Sequence, residues 1–207
     1  MQLRLETKLT LEQYLTERGW EGASFECCPL HPGGGCGSAR HGTYLRKYPV
    51  PIPIARMYCA VGQTTFSLLP DFLASRLPGT LDELEQVAVT VDAAPSVEKA
   101  ASQLRPADVA TAVTSTAATR WTARRMALVR AALMALAGLL PDALGGVGTV
   151  TELRARLGTE RALVALREMG AAHLSSLPPP LGFGPRPRPR RKHPGAPQHN
   201  QGEELPD

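Results

Sequence analysis

The chain has 207 residues, 43% hydrophobic and 20% charged, which suits a globular protein of one or two small domains. Aromatic residues are only 5%, so leucine, valine and alanine must build the core, and a net charge of +4 permits an anionic partner. The most apolar window, 126–140, contains Arg130 and falls short of the roughly 20 residues needed to span a bilayer, and no targeting segment opens the chain; a cytoplasmic protein without membrane contact is expected.

Residues 1–22 read as an adaptor. Leu3 and Leu5 alternate with Arg4 and Glu6 as in a short strand. Thr10 opens a helix with Gln13 as its capping-box partner; Leu11, Tyr14 and Leu15 form its apolar face and Gly19 ends it.

Residues 23–78 hold all four cysteines, at 27, 28, 36 and 59, with His31 and His41. Two Gly/Pro-rich loops flank a β-like run, the layout of a zinc ribbon in which each loop gives ligands to one metal. The first loop offers Cys27 or Cys28, then Cys36, with His31 between. The second offers Cys59, but Gly62 stands where a CxxC pair would end. Candidate zinc ligands are Cys28, Cys36, Cys59, His31 and His41. The fourth ligand is one of the two histidines, or the site has three, or the cysteines are small buried apolar residues. Disulfides are disfavoured, because no secretory signal precedes these cysteines.

Strands are expected over 41–48 and 50–58, with Pro49, Pro51 and Pro53 confining the second to a sheet edge or hairpin tip. Arg40, Arg46, Lys47 and Arg56 either present a positive face to phosphates or lie on an ordinary solvated face. Tyr44, Tyr48 and Tyr58 either stack on bases or, the preferred reading in so aromatic-poor a chain, belong to the core. Leu68, Leu69, Phe72 and Leu73 read as one side of a short helix entered at Pro70.

A turn at Leu77–Thr80 places a domain boundary near residue 79, and 79–177 read as helical. Thr80 caps a helix to Val91, Ser96 caps 97–104, and 108–113 adds a turn or two. The longest helix, 117–140, buries Trp121, Leu128, Val129, Leu133, Leu136 and Leu140. Arg120, Arg124 and Arg125 cluster in its first half, against the helix-dipole preference. A phosphate backbone would compensate, or the arginines cover apolar neighbours with their heads in water. The helices at 97–104 and 117–140 form a helix-turn-helix candidate, although more residues separate them than the three or four or so usual for that turn. Residues 141–148 read as a loop. Thr149 and Glu152 cap a helix to Leu157, and Thr159 caps another to His173. Residues 178–207 are Pro-rich and expected to be disordered. Within them Arg186, Arg188, Arg190, Arg191 and Lys192 form an extended basic segment that tracks phosphates or merely solubilises.

The strings HGTYLRK (41–47), IARMYC (54–59) and TTFSLLPDFLASR (64–76) resemble, in order and spacing, the N-terminal zinc-binding segment of bacterial insertion-sequence transposases. The resemblance spans 27–76. It implies that Cys28, Cys36 and Cys59 occupy ligand positions, with Gly62 in place of the last cysteine. It also implies a helix-turn-helix following the ribbon, and duplex DNA as partner.

The expected fold class is α+β: a small β-rich zinc-ribbon-like module (23–78) after the adaptor, an all-α domain (79–177) and a basic tail (178–207). No P-loop, GxSxG or HExxH motif is present, and no strands follow the ribbon to carry a metal-binding acid triad, so no enzyme is expected. The favoured function is a DNA-binding, transposase-like accessory or fragment protein acting with a separate transposase catalytic chain. The alternative is a zinc-stabilised protein-interaction scaffold whose apolar helices pack on a partner or a second copy.

Overall fold

The alternation at the start of the chain becomes strand β1 (Gln2–Leu5), and Thr10 caps helix α1 (Leu11–Thr16) in the expected capping box with Gln13. Strands β2 (Ala39–Arg46), β3 (Ile52–Cys59) and β4 (Thr64–Pro70) follow. A computed structural model describes residues 1–105 and 115–184. The four strands form one sheet in the order β1-β4-β3-β2. β2 and β3 are antiparallel, with Tyr44 opposite Ile54, and β3 and β4 are antiparallel, with Cys59 opposite Thr64. β1 lies parallel to β4, with Leu3 opposite Leu68.

Two expectations for this region are corrected. Leu68 and Leu69 belong to strand β4, and Phe72 and Leu73 to the turn and isolated bridge that follow it, where one side of a short helix entered at Pro70 was expected. Phe66 and Leu68 pack on the cysteine side of the sheet, and Leu69 packs on the other side against Tyr14, Ile52 and Ile54. A strand buried on both faces shows no clean alternation and so mimics a helical pattern. β3 is also not an edge strand throughout. Its second half, Arg56–Cys59, lies between β2 and β4, while its proline-containing first half is paired with β2 alone. Proline is tolerated there because no second neighbour asks for its missing N–H. Helix α1 covers this gap, and the Tyr14 hydroxyl donates to the Pro53 carbonyl at 3.1 Å.

The helical part contains α2 (Leu81–Ala93), α3 (Val97–Gln103), α4 (Ser115–Leu139), α5 (Pro141–Leu144), α6 (Val150–Leu157) and α7 (Ala162–Met169), then a 3₁₀ turn at Ala171–His173. The caps at Thr80, Ser96 and Thr149 form as the sequence predicts. One core joins these helices through Leu84, Ala88, Val129, Leu133, Leu153 and Leu166. The expected loop at 141–148 contains the single turn of α5, begun by Pro141. The expected helix from Thr159 starts later, at Ala162. Its first amides are satisfied by the fully buried Glu85 of α2, which accepts from Ala162 N at 3.0 Å and Leu163 N at 2.8 Å. Arg154 pairs with the same carboxylate at 2.7 Å. The cap is therefore tertiary, and local sequence cannot reveal it.

Residues 178–184 are not a disordered tail but part of the packed body. Leu181 is fully buried and Phe183 N donates to Leu174 O at 2.6 Å. Arg167, fully buried on α7, donates to the carbonyls of Asp71, Leu73, Pro180 and Leu181 at 2.6–3.0 Å. It binds the segment after β4 to the segment after the last helix. The turn expected at 108–113, the link between α3 and α4 on which a helix-turn-helix depends, and the basic segment Arg186–Lys192 lie outside the described residues. Among the described residues, no helix is long and apolar enough to cross a membrane.

Candidate metal centre and arginine surface

The loop between α1 and β2 is folded so that its metal donors converge. Pro29 and Leu30 turn the chain, and His31 N donates to Cys28 O at 2.9 Å, which sets residues 28 and 31 face to face. Gly34 and Gly35 adopt φ of +81° and +77°, conformations open to glycine, and return the chain to Cys36. Cys59 ends β3 directly across from this loop. The Sγ atoms of Cys28, Cys36 and Cys59 and a ring nitrogen of His31 all lie within 4.8 Å of one another. His31 Nδ1 is 3.7 Å from Cys28 Sγ and 3.3 Å from Cys59 Sγ. A tetrahedral metal with sulfur at about 2.3 Å and nitrogen at about 2.0 Å has a sulfur–nitrogen edge of about 3.5 Å, which these two distances bracket. The three cysteines are buried, over a floor that includes Ala23, Phe66 and Leu68.

Gly62, where the second loop lacks a second cysteine, stands against the donor cluster. Its amide donates to Cys59 Sγ at 3.2 Å. A Cβ at this position would stand 2.5 Å from Leu30 Cδ1 and 3.3 Å from Cys59 Sγ. The space is already filled by the first loop, whose His31 supplies the fourth donor. Backbone N–H bonds to sulfur orient and stabilise thiolates, as in metal knuckles. Burial pushes the Cys59 thiol up, aided by Cys28 and Cys36 and opposed by the Gly62 amide. At Cys36 burial pushes the same way, but the Ser38 N–H and the Cys28 and Cys59 side chains outweigh it and the thiol ends below its usual value.

Of the five expected ligands, the structure brings four together. His41 is not among them: it is exposed on β2, with its ring 5.5 Å from that of Tyr58. The bulge at Arg40–Thr43, where Gly42 has φ +79°, sets this stretch apart from the donor loop. Cys27 is exposed and also outside the cluster.

The basic residues do not share one face. Arg40 donates to Trp20 O at 2.7 Å and Glu21 O at 2.8 Å, tying the end of the α1 segment to β2. Arg46 is turned inward and donates to the carbonyls of Ala74, Leu77 and Gly79. Arg46 is thereby engaged by the fold, while Arg40 remains an exposed residue. Lys47 is exposed, and Arg56 is half-buried opposite Ser67. The arginines of α4 do converge. Arg120, Arg124 and Arg125 line a recess of about 360 Å³ together with Trp121 and Arg76. Trp121 was expected in the buried stripe of α4 but is 46% exposed, and Tyr48 was expected in the core but is 48% exposed. Trp121 serves as a platform: the Arg125 guanidinium lies 4.1 Å from its ring centre. Sequence reading missed Arg76, because only the packing of the post-β4 segment against α4 brings it here.

No protein-family model, curated protein or solved structure matches the chain. Its chemistry must be argued from its own residues.

Proposed function

We propose that the chain is a zinc-stabilised, DNA-binding accessory protein without a catalytic centre of its own, acting beside a separate catalytic chain. The convergence of four arginines at the α4 recess carries the DNA-binding reading. Three thiolates and one imidazole are donors suited to zinc. Four protein donors fill a tetrahedral shell, so bound zinc would be structural, tying loop 28–36 to the end of β3 rather than meeting a substrate. The resemblance of 27–76 to the transposase segment supports the same reading and the separate catalytic partner.

The interaction-scaffold alternative draws on Met134 and Leu139, which are 73% and 44% exposed on α4. It is weaker, because Val129, Leu133 and Leu136 face the core and leave no continuous apolar stripe.

The test is binding of mixed-sequence duplex DNA by the full chain across a salt series. Each lost phosphate contact flattens the log–log salt slope by about 0.9, so Arg120→Gln with Arg124→Gln should flatten it by roughly 2. A second protein carries glutamine at Arg186, Arg188, Arg190, Arg191 and Lys192. It should bind more weakly yet keep a salt slope. Loss of all binding in that protein reduces the activity to a nonspecific arm. No binding by the full chain at moderate salt removes the DNA reading and favours a protein partner.

A further inference from the structure

The recess beside α4 is built unlike a solvated basic face. Among the described residues no carboxylate lines it. Arg125 is 7% exposed, and its Nε is buried without a hydrogen-bond partner. Among the described residues its guanidinium makes no ion pair and no hydrogen bond; it lies against Trp121 and shares a small cavity with Tyr48 and Glu83. Glu83 acts on it at longer range, with its own Oε2 engaged by the Thr80 amide at 2.7 Å. The Nε of Arg76, on the opposite wall, is likewise buried and unpartnered. Arg120 and Arg124 repeat the positive charge one helical turn apart, a spacing at which like charges repel. A buried cation without a directly paired counter-charge is costly, and natural sites relieve that cost with an anion.

We infer that the recess formed by Arg76, Arg120, Trp121, Arg124 and Arg125 is a binding site for a phosphomonoester. A phosphomonoester carries close to two negative charges and three acceptor oxygens, which match guanidinium forks in bidentate geometry. The exposed Arg120 and Arg124 suit a duplex phosphodiester, which carries one charge and lies along a convex cylinder, but the buried Arg125 does not meet such a surface. A monoester projects from its molecule and reaches a concave site. The exposed part of Trp121 offers a surface on which a base attached to that phosphate can stack. The ligand is therefore a free phosphate or nucleotide, or the 5′-phosphate end of a nucleic acid. The inference deepens the DNA-binding reading in the second case and is independent of it in the first.

The test is titration calorimetry of the full chain with inorganic phosphate, with a nucleoside 5′-monophosphate, and with short duplexes bearing 5′-phosphate or 5′-hydroxyl ends. Saturable binding of phosphate or the monophosphate is expected. Arg124→Gln, whose exposed side chain is not needed for folding, should weaken it at least about tenfold, the loss of one charge-assisted contact. Arg125→Met, which keeps the stem against Trp121, should do the same. Melting curves of both variants confirm that they fold. Absence of saturable binding below about 10 mM, or unchanged binding in both folded variants, overturns the inference. Preference for the 5′-phosphate duplex assigns the site to nucleic-acid ends. Phosphate binding without that preference assigns it to a small ligand. Salt-dependent binding of 5′-hydroxyl duplexes by a chain that shows no saturable binding of phosphate or the monophosphate sinks the recess site while leaving the DNA reading standing. Retained phosphate binding without any duplex binding does the reverse.

Discussion

Replacing Arg167 with methionine is expected to destabilise the fold by about 3 kcal/mol or more, among the largest effects of any single substitution outside the metal centre. Its guanidinium is fully buried and, among the described residues, forms no salt bridge with a carboxylate. It is held instead by four backbone carbonyls, from Asp71, Leu73, Pro180 and Leu181. Burial pulls its pKa down to about 9, with Arg4 and Arg46 adding to the shift and Asp71 opposing it, so it remains a cation at neutral pH. Methionine fills similar space but leaves the buried carbonyls of Asp71, Leu73 and Leu181 without the guanidinium, while that of Pro180 keeps the Ser75 amide at 2.8 Å, and each such loss costs about 1–3 kcal/mol before relaxation. Urea unfolding of the two proteins checks this. A midpoint within error of the parent would mean that residues 178–184 and 71–73 do not depend on this side chain.

The second large effect lies at the metal centre. A Cys59→Ser protein should purify with far less than one metal ion per chain, because structural zinc is worth about 10–16 kcal/mol to small sites and needs its full ligand set. Hydrogen exchange should then rise over 28–38 and 59–63, where the metal would be the main cross-link. The core of α2, α4 and α6 should stay protected, since Leu84, Val129, Leu133 and Leu153 pack without involving the cysteines. His41→Ala should retain its metal, because His41 lies outside the donor cluster. Equal metal content in the Cys59→Ser and parent proteins would remove Cys59 from the ligand set.

Local rules were readable in the chain. Thr10, Thr80 and Thr149 each cap a helix by reaching a residue three positions on, so short-range spacing reveals them. The cysteine cluster was readable because cysteines occur nowhere else. What failed was tertiary in origin. Strand β4 carries apolar residues on both faces and imitates a helix. Glu85 starts α7 from another helix, and Arg76 meets Arg120, Arg124 and Arg125 only after folding. The choice between His31 and His41 also lay beyond sequence. Spacing offers both, and the turn at Pro29–Leu30 together with the contact of Leu30 on Gly62 brings only His31 to the sulfurs. Arg46 shows the limit of reading charge as surface: on the folded chain it is turned inward and braces the carbonyls of Ala74, Leu77 and Gly79, while the arginines that gather round one recess sit mostly on α4.

The most direct test of the central claim is X-ray absorption at the metal of protein purified without added chelator. A closed structural centre predicts one zinc per chain with three sulfurs at about 2.3 Å and one nitrogen at about 2.0 Å, the nitrogen lost in His31→Ala and kept in His41→Ala. A chain that retains no metal, or a spectrum showing an oxygen ligand in place of the nitrogen or of a sulfur, contradicts it. The first outcome would leave three buried thiols as apolar packing, and the second would describe an open site able to bind water or substrate.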